Sequence, residues 1–201
     1  MSTQQMNMQK VEQFAGQVVT DISATISGVM TNIGHKLGLY KAMAGAGHIS
    51  AAQLAEKTGT YERYVREWLN NQTAGSYVFY DSDKDTYLLP DEHAPILAFD
   101  DSPVFLVPAL EVVASLWADE DKILGVFKSG EGMAWAEHNH RLFCGSEALF
   151  RPGYKAHLTE SWLQTLDGME EKLIEGINVA DVGCGHGAST IVMAEKYPNS
   201  T

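Results

Sequence analysis

The chain has 201 residues, 45% of them apolar, with 26 acidic against 14 basic side chains and a formal charge of −12. That length allows one large or two small domains, and no run is apolar enough to span a bilayer, the best stretch at 104–117 being broken by Pro108 and Glu111. The acidic balance repels phosphate backbones and anionic surfaces, so neither nucleic acid nor membrane is an expected partner.

The polar start MSTQQMNMQK lacks the basic-then-apolar order of a secretory signal. Two cysteines, Cys144 and Cys184, do not make a disulfide framework, and both are expected as small buried hydrophobes in a cytoplasmic protein. Val11, Phe14, Ala15, Val18, Val19, Ile22 and Ile26 recur at steps of three and four and predict a helix with one apolar stripe. Gly28 and Gly34 are expected to interrupt it. A stripe so near the N-terminus must be covered by the rest of the domain or by a second subunit, and a homodimer through these helices is the expectation.

Residues 49–90 predict a winged helix. Ser50 caps a helix through AAQLAEKT, Gly59 ends it, and Thr60 is positioned to cap YERYVREWLNNQ. YVFY and TYLLP then flank the polar loop DSDKD as a β-hairpin. The second helix sets Glu62 and Glu67 against Arg63 and Arg66, and the wing sets Asp81, Asp83 and Asp85 against Lys84. A groove reader brings cations to phosphates, so packing or dimerisation is the favoured use of this shape. Asp81, Asp83, Asp85 and Glu92 also match calcium-loop positions, but Thr86 occupies the glycine place and the flanks read as strands.

Residues 102–130 predict two helices, and 158–176 a third with Leu158, Trp162, Leu166 and Met169 on one side. The intervening stretch, 132–154, is polar and aromatic without a clean period. The domain boundary is set at 157/158: a helical winged-helix domain over 1–157 and the beginning of a Rossmann-like unit over 158–201. Trp68, Trp117, Trp135 and Trp162 are expected in cores. Glu137 and His138 are candidates for a base facing a substrate pocket. With His140 and His186 they could also be read as metal ligands, though neighbouring histidines more often mark a polar turn. Arg151 and Tyr154 either reach a cofactor carboxylate or pack the domain junction.

The richest stretch is VADVGCGHGAST, 179–190. An apolar strand ends at Asp181, the alternating Gly183, Gly185 and Gly187 allow positive φ and close ligand approach, and a helix follows with its free amides aimed at the turn. Gly183, Gly185 and Ala188 also satisfy the dinucleotide pattern G-x-G-x-x-A. Asp181 decides between the ligands, because a carboxylate beside the turn repels a pyrophosphate and suits the ammonium and sulfonium of S-adenosylmethionine.

This stretch resembles the first motif of class I S-adenosylmethionine-dependent methyltransferases. With the winged helix, the hairpin and LFCGSEALFRPGY, the chain is similar to bacterial methyltransferases that carry an N-terminal winged-helix domain. The fold this implies is mainly α with a small hairpin, followed by the start of a Rossmann-like α/β domain. The resemblance implies methyl transfer to a small-molecule acceptor, a winged helix that dimerises or covers substrate, and cofactor binding by Asp181, Gly183, Gly185 and Gly187. The family's ribose-binding acidic residue would fall beyond Thr201, so these residues are expected to hold only the opening of the catalytic domain and to be inactive alone. The alternative is a winged-helix regulator or dimerisation module with a vestigial cofactor loop.

Overall fold

The computed structural model describes residues 6–201. The N-terminal stripe lies on one helix, α1 (Met8–Lys36), which Asn7 caps by accepting from the Lys10 amide at 3.2 Å. The expected breaks at Gly28 and Gly34 do not occur. A Cβ at Gly34 would fall 2.3 Å from Cζ2 of Trp68, and one at Gly28 would fall 3.3 Å from Leu110 Cδ2. These glycines are where other elements close onto α1. The stripe itself is open to solvent, with Phe14 65% and Ile26 57% exposed.

After α2 (Leu39–Met43) comes the winged helix: α3 (Ala51–Thr58), α4 (Glu62–Ala74), β1 (Phe79–Asp81) and β2 (Thr86–Leu88). Ser50 and Gln53 form a reciprocal capping box, the Gln53 amide donating to Ser50 Oγ and the Ser50 amide to Gln53 Oε1. Gly59 closes α3 in the left-handed region. Thr60 does not cap α4 as the sequence predicts; Tyr61 holds that place, and the Thr60 hydroxyl pairs with that of Thr58 at 2.8 Å. The strands pair antiparallel, Tyr80 opposite Tyr87, and Ile49 bridges to Tyr87. Ser50→Ala is expected to lower stability by about 1 kcal/mol, read by urea denaturation.

The core lies here. Leu39, Tyr40, Met43, Leu54, Trp68 and Leu69 are buried together, each large apolar side chain contributing roughly 1.5–3 kcal/mol by leaving water. The Trp68 indole also donates to the Met30 carbonyl at 2.8 Å, and the Tyr40 hydroxyl donates to Gln72. Beyond Pro108 the buried apolar side chains among the described residues are Pro152, Leu173 and Tyr197. Trp117, Trp135 and Trp162 are therefore not core residues, contrary to expectation. Trp135 walls a cleft and Trp117 a groove, and Trp162 packs edge-on against Tyr154.

Past α5 (Ala94–Leu97), α6 (Ala109–Ala118) and α7 (Glu120–Ser129) match the two expected helices, and α8 (His140–Gly153) packs on α6. Gly145 permits that approach, since its Cβ would meet Glu111 Cβ at 2.9 Å. Glu111 joins three helices, accepting from Asn32 of α1 at 2.7 Å and from Arg141 of α8 at 2.6 Å, with Lys36 at 2.5 Å. The bonds from Arg141, followed by those from Lys36 and Asn32, outweigh burial and hold its carboxyl at a pKa of about 2. The folded value lies below the unfolded one, so the charge stabilises above about pH 5 and the gain fades as pH falls toward 2. Glu111→Gln is expected to flatten the loss of stability between pH 6 and 3 by about 2 kcal/mol, measured by urea titration at both pH values.

The expected separate helix over 158–176 is not what forms. α8 runs on as a π-helical segment, Tyr154–Trp162, and a 3-10 turn, Leu163–Thr165, before the short α9 (Met169–Glu175). Pro152 inside α8 removes a backbone donor just where the helix widens. Residues 177–181 run without helix or turn, the predicted strand forms no regular ladder among the described residues, and Val182 already belongs to the turn. The Thr201 amide donates to Ile177 O at 2.9 Å and the Val179 amide to Thr201 O at 2.8 Å, the pattern of a parallel pair with α10 (Ala188–Lys196) crossing between. Among the described residues no helix is long and apolar enough to cross a membrane.

Candidate functional site

The glycine turn joins the 177–181 segment to α10. Gly183, Gly185 and Gly187 have φ of 79°, 56° and 79°, a region that side-chain-bearing residues avoid. No atom lies within 4 Å of a Cβ built at any of them. Backbone conformation demands glycine here, and the same choice keeps the space above the turn open. Gly187 begins α10, accepting the Ile191 amide at 2.8 Å.

Asp181 fastens this turn. Its Oδ2 accepts from the Ser189 and Thr190 hydroxyls, both at 2.7 Å, tying the end of the 177–181 segment to the first turn of α10. The Ser189 bond, then that of Thr190, holds its carboxyl below the usual carboxylate range. Oδ1 takes no part in these bonds.

Facing the turn is a cleft of about 860 Å³. One wall is Gly183, Cys184, Gly185 and His186; the other is Trp135 with Phe143, Ser146, Glu147 and Phe150 of α8 and Tyr154 at the start of the π-helical segment. Trp135 meets Phe143 edge to face at 5.1 Å, and Phe150 stacks toward Tyr154 at 6.4 Å. Glu147 supplies a carboxylate to this wall and is bonded by Arg151 at 3.1 Å. The cleft thus offers open backbone and helix-start amides on one side, and aromatic faces with one negative group on the other.

Of the predicted binding residues, Gly183 and Gly185 line this cleft and Gly187 starts the helix beneath it. Asp181 lines a separate small pocket of about 90 Å³ with Thr190, Met193 and Tyr197. Glu137 caps the turn that holds Trp135, its Oε2 accepting the Ala134 amide at 2.8 Å. His138 stands 3.8 Å from the buried Asp119 carboxylate. Neither is a cleft-wall residue. Tyr154 is one, and Arg151 serves Glu147.

Cys184 and Cys144 are both exposed, contrary to expectation, because Cys184 rides on the open turn. In the wing, Asp85 meets Arg66 and the Tyr80 hydroxyl, and Asp81 meets Lys84. Among the described residues no three potential metal ligands stand together. The aromatic wall was missed by reading the sequence. Phe143, Glu147, Phe150 and Tyr154 do recur at helical spacing, which was the available signal.

Residues 24–98 match the Rv2258c-like winged HTH domain. No curated protein matches the chain. Among solved structures, PigF with S-adenosylhomocysteine is similar over 92% of this chain and 56% of its own, at 16% identity and a TM-score of 0.61. CalO1, a methyltransferase in calicheamicin biosynthesis in its S-adenosylhomocysteine-bound form, is similar over 98% of this chain and 59% of its own, at 15% and 0.60. Human N-acetylserotonin methyltransferase with S-adenosylmethionine gives 100% and 59%, at 16% and 0.57. The chain spans between 56% and 59% of the length of these structures. What it shares with them is the fold: a helical, winged-helix region followed by a Rossmann-like β–turn–α unit.

Proposed function

We propose that the chain serves S-adenosylmethionine-dependent methyl transfer to a small-molecule acceptor, with the cofactor in the cleft between the glycine turn and α8. The observation that carries this reading is the opposition of two positive-φ glycines, Gly183 and Gly185, to an aromatic wall containing Glu147. When bound, the cofactor supplies a methyl group on a positively charged sulfur. Gly183 and Gly185 let a ligand approach the backbone, and the first amides of α10 bind its polar oxygens. Glu147 contributes negative charge opposite a cation, and Asp181 holds the turn in shape through Ser189 and Thr190. Phe143, Phe150 and Trp135 give flat apolar surface and exclude water. Holding donor and acceptor in line is the main contribution such a cleft makes to rate.

In this reading the exposed stripe of α1 pairs with a second copy. The winged helix packs and does not read DNA, since Arg63 is bonded by Glu67 and Arg66 by Glu62 and Asp85. Two free thiols suit a reducing cytoplasm. Cys184 gives the test, because it lines the cleft and Cys144 does not. Saturating S-adenosylhomocysteine is expected to slow alkylation of Cys184 several-fold and leave Cys144 unchanged. Identical protection of both, or of neither, contradicts the assignment. Salt-dependent retention on DNA would favour a regulator instead.

A further inference from the structure

Asp119 sits between α6 and α7, is 2% exposed, and is not a cleft-wall residue. Its carboxylate nonetheless holds the approach to the cleft. Oδ2 accepts the Asn139 amide at 2.6 Å, and Oδ1 accepts from the Lys122 ammonium at 2.8 Å. Lys122 donates in turn to the Glu137 carbonyl. Asn139 caps α8, its Oδ1 accepting the Arg141 amide at 3.1 Å. One carboxylate therefore anchors both the start of the helix that walls the cleft and the turn that presents Trp135.

That turn has little else to fix it. None of residues 130–139 is buried, so the segment gains little from hydrophobic packing. The Glu137 bond to the Ala134 amide is internal to the turn and does not orient it against α6. His138 stands beside both partners, with Nδ1 3.8 Å from Asp119 Oδ2 and its ring 5.6 Å from that of Trp135. The Lys122 bond, then that of the Asn139 amide, holds the Asp119 carboxyl below the usual carboxylate range, so it is ionised at neutral pH. An ionised carboxylate only accepts, and here each oxygen meets a donor.

We infer that Asp119 is a positioning residue of the cofactor cleft: it sets Trp135 and the first turn of α8 opposite the glycine turn without touching a ligand. The inference rests on the cofactor reading given above. Asp119→Asn keeps the size of the side chain and removes one acceptor. Its NH₂ then points at either the Lys122 ammonium or the Asn139 amide, donor against donor, and that anchor is lost.

The test labels the 201-residue chain with fluorotryptophan, the Trp135 signal being the one lost in Trp135→Phe. Without ligand, Asp119→Asn is expected to shift or broaden that signal and leave the Trp68 signal in place. Affinity for S-adenosylhomocysteine is expected to fall about tenfold in Asp119→Asn and about tenfold in Trp135→Ala. The double variant loses no more than either, because both act through one contact. Lys122→Met removes one arm of the anchor and is expected to give the same changes in milder form. Ser50→Ala, which weakens only the winged helix, is expected to move neither readout. An unmoved Trp135 signal in a folded Asp119→Asn chain, an unchanged affinity there, or losses that add in the double variant overturn the inference. If the unsubstituted chain binds no S-adenosylhomocysteine, the cofactor reading falls, and the fluorine signal still decides whether Asp119 holds Trp135.

Discussion

Gly34→Ala is expected to destabilise the protein by about 2–3 kcal/mol. Alanine gains roughly 1 kcal/mol over glycine in a helix interior, so propensity alone favours the change. Packing opposes it and wins. The new Cβ would lie 2.3 Å from Cζ2, 2.5 Å from Cε2 and 2.6 Å from Nε1 of Trp68. That indole is 2% exposed and bonded to Met30, so it cannot swing aside, and α1 must lift from α4. Gly16→Ala is the matched control, since its Cβ would meet nothing within 4 Å and only the propensity gain remains. Urea denaturation is expected to show Gly16→Ala slightly stabilised and Gly34→Ala strongly destabilised. Equal stabilities would mean that α1 does not close onto Trp68.

Gly183→Val is expected to reduce S-adenosylhomocysteine affinity by about 100-fold, each tenfold being 1.4 kcal/mol. A β-branched residue at φ 79° is strained by roughly 1–3 kcal/mol, and its side chain also projects into the cleft. Gly130→Val separates the two effects. Gly130 has φ 73° at the end of α7 and is not a cleft-wall residue, so the change costs stability and leaves binding unaltered. Calorimetric titration of both variants checks the pair. Equal loss of binding in the two would show that the turn acts only through global stability.

Local signals carried well from sequence to structure. Ser50 and Gly59 bound α3 because capping chemistry is decided within a few residues. The hairpin around DSDKD and the positive-φ glycines of 183–187 were legible for the same reason. What was lost depended on distant partners. Gly34 reads as a helix breaker until Trp68 is seen beside it, and Trp135 reads as core until the cleft it walls is on the page. The stripe Phe143, Glu147, Phe150, Tyr154 mixes a carboxylate with aromatics, so hydrophobic periodicity alone passes over it. The continuation of α8 past Pro152 is a tertiary effect, packing on α10 holding a helix that proline would otherwise end.

The turn after Asp181 is proposed to receive S-adenosylmethionine and its demethylated product, and not a dinucleotide. The direct measurement is a parallel titration of the isotope-labelled chain with S-adenosylhomocysteine and with NAD, following the amides of Gly183, Gly185, Phe143 and Phe150. The account predicts saturable shifts at these four positions with S-adenosylhomocysteine and none with NAD. Shifts at the same positions with NAD, undisturbed by excess S-adenosylhomocysteine, would contradict it.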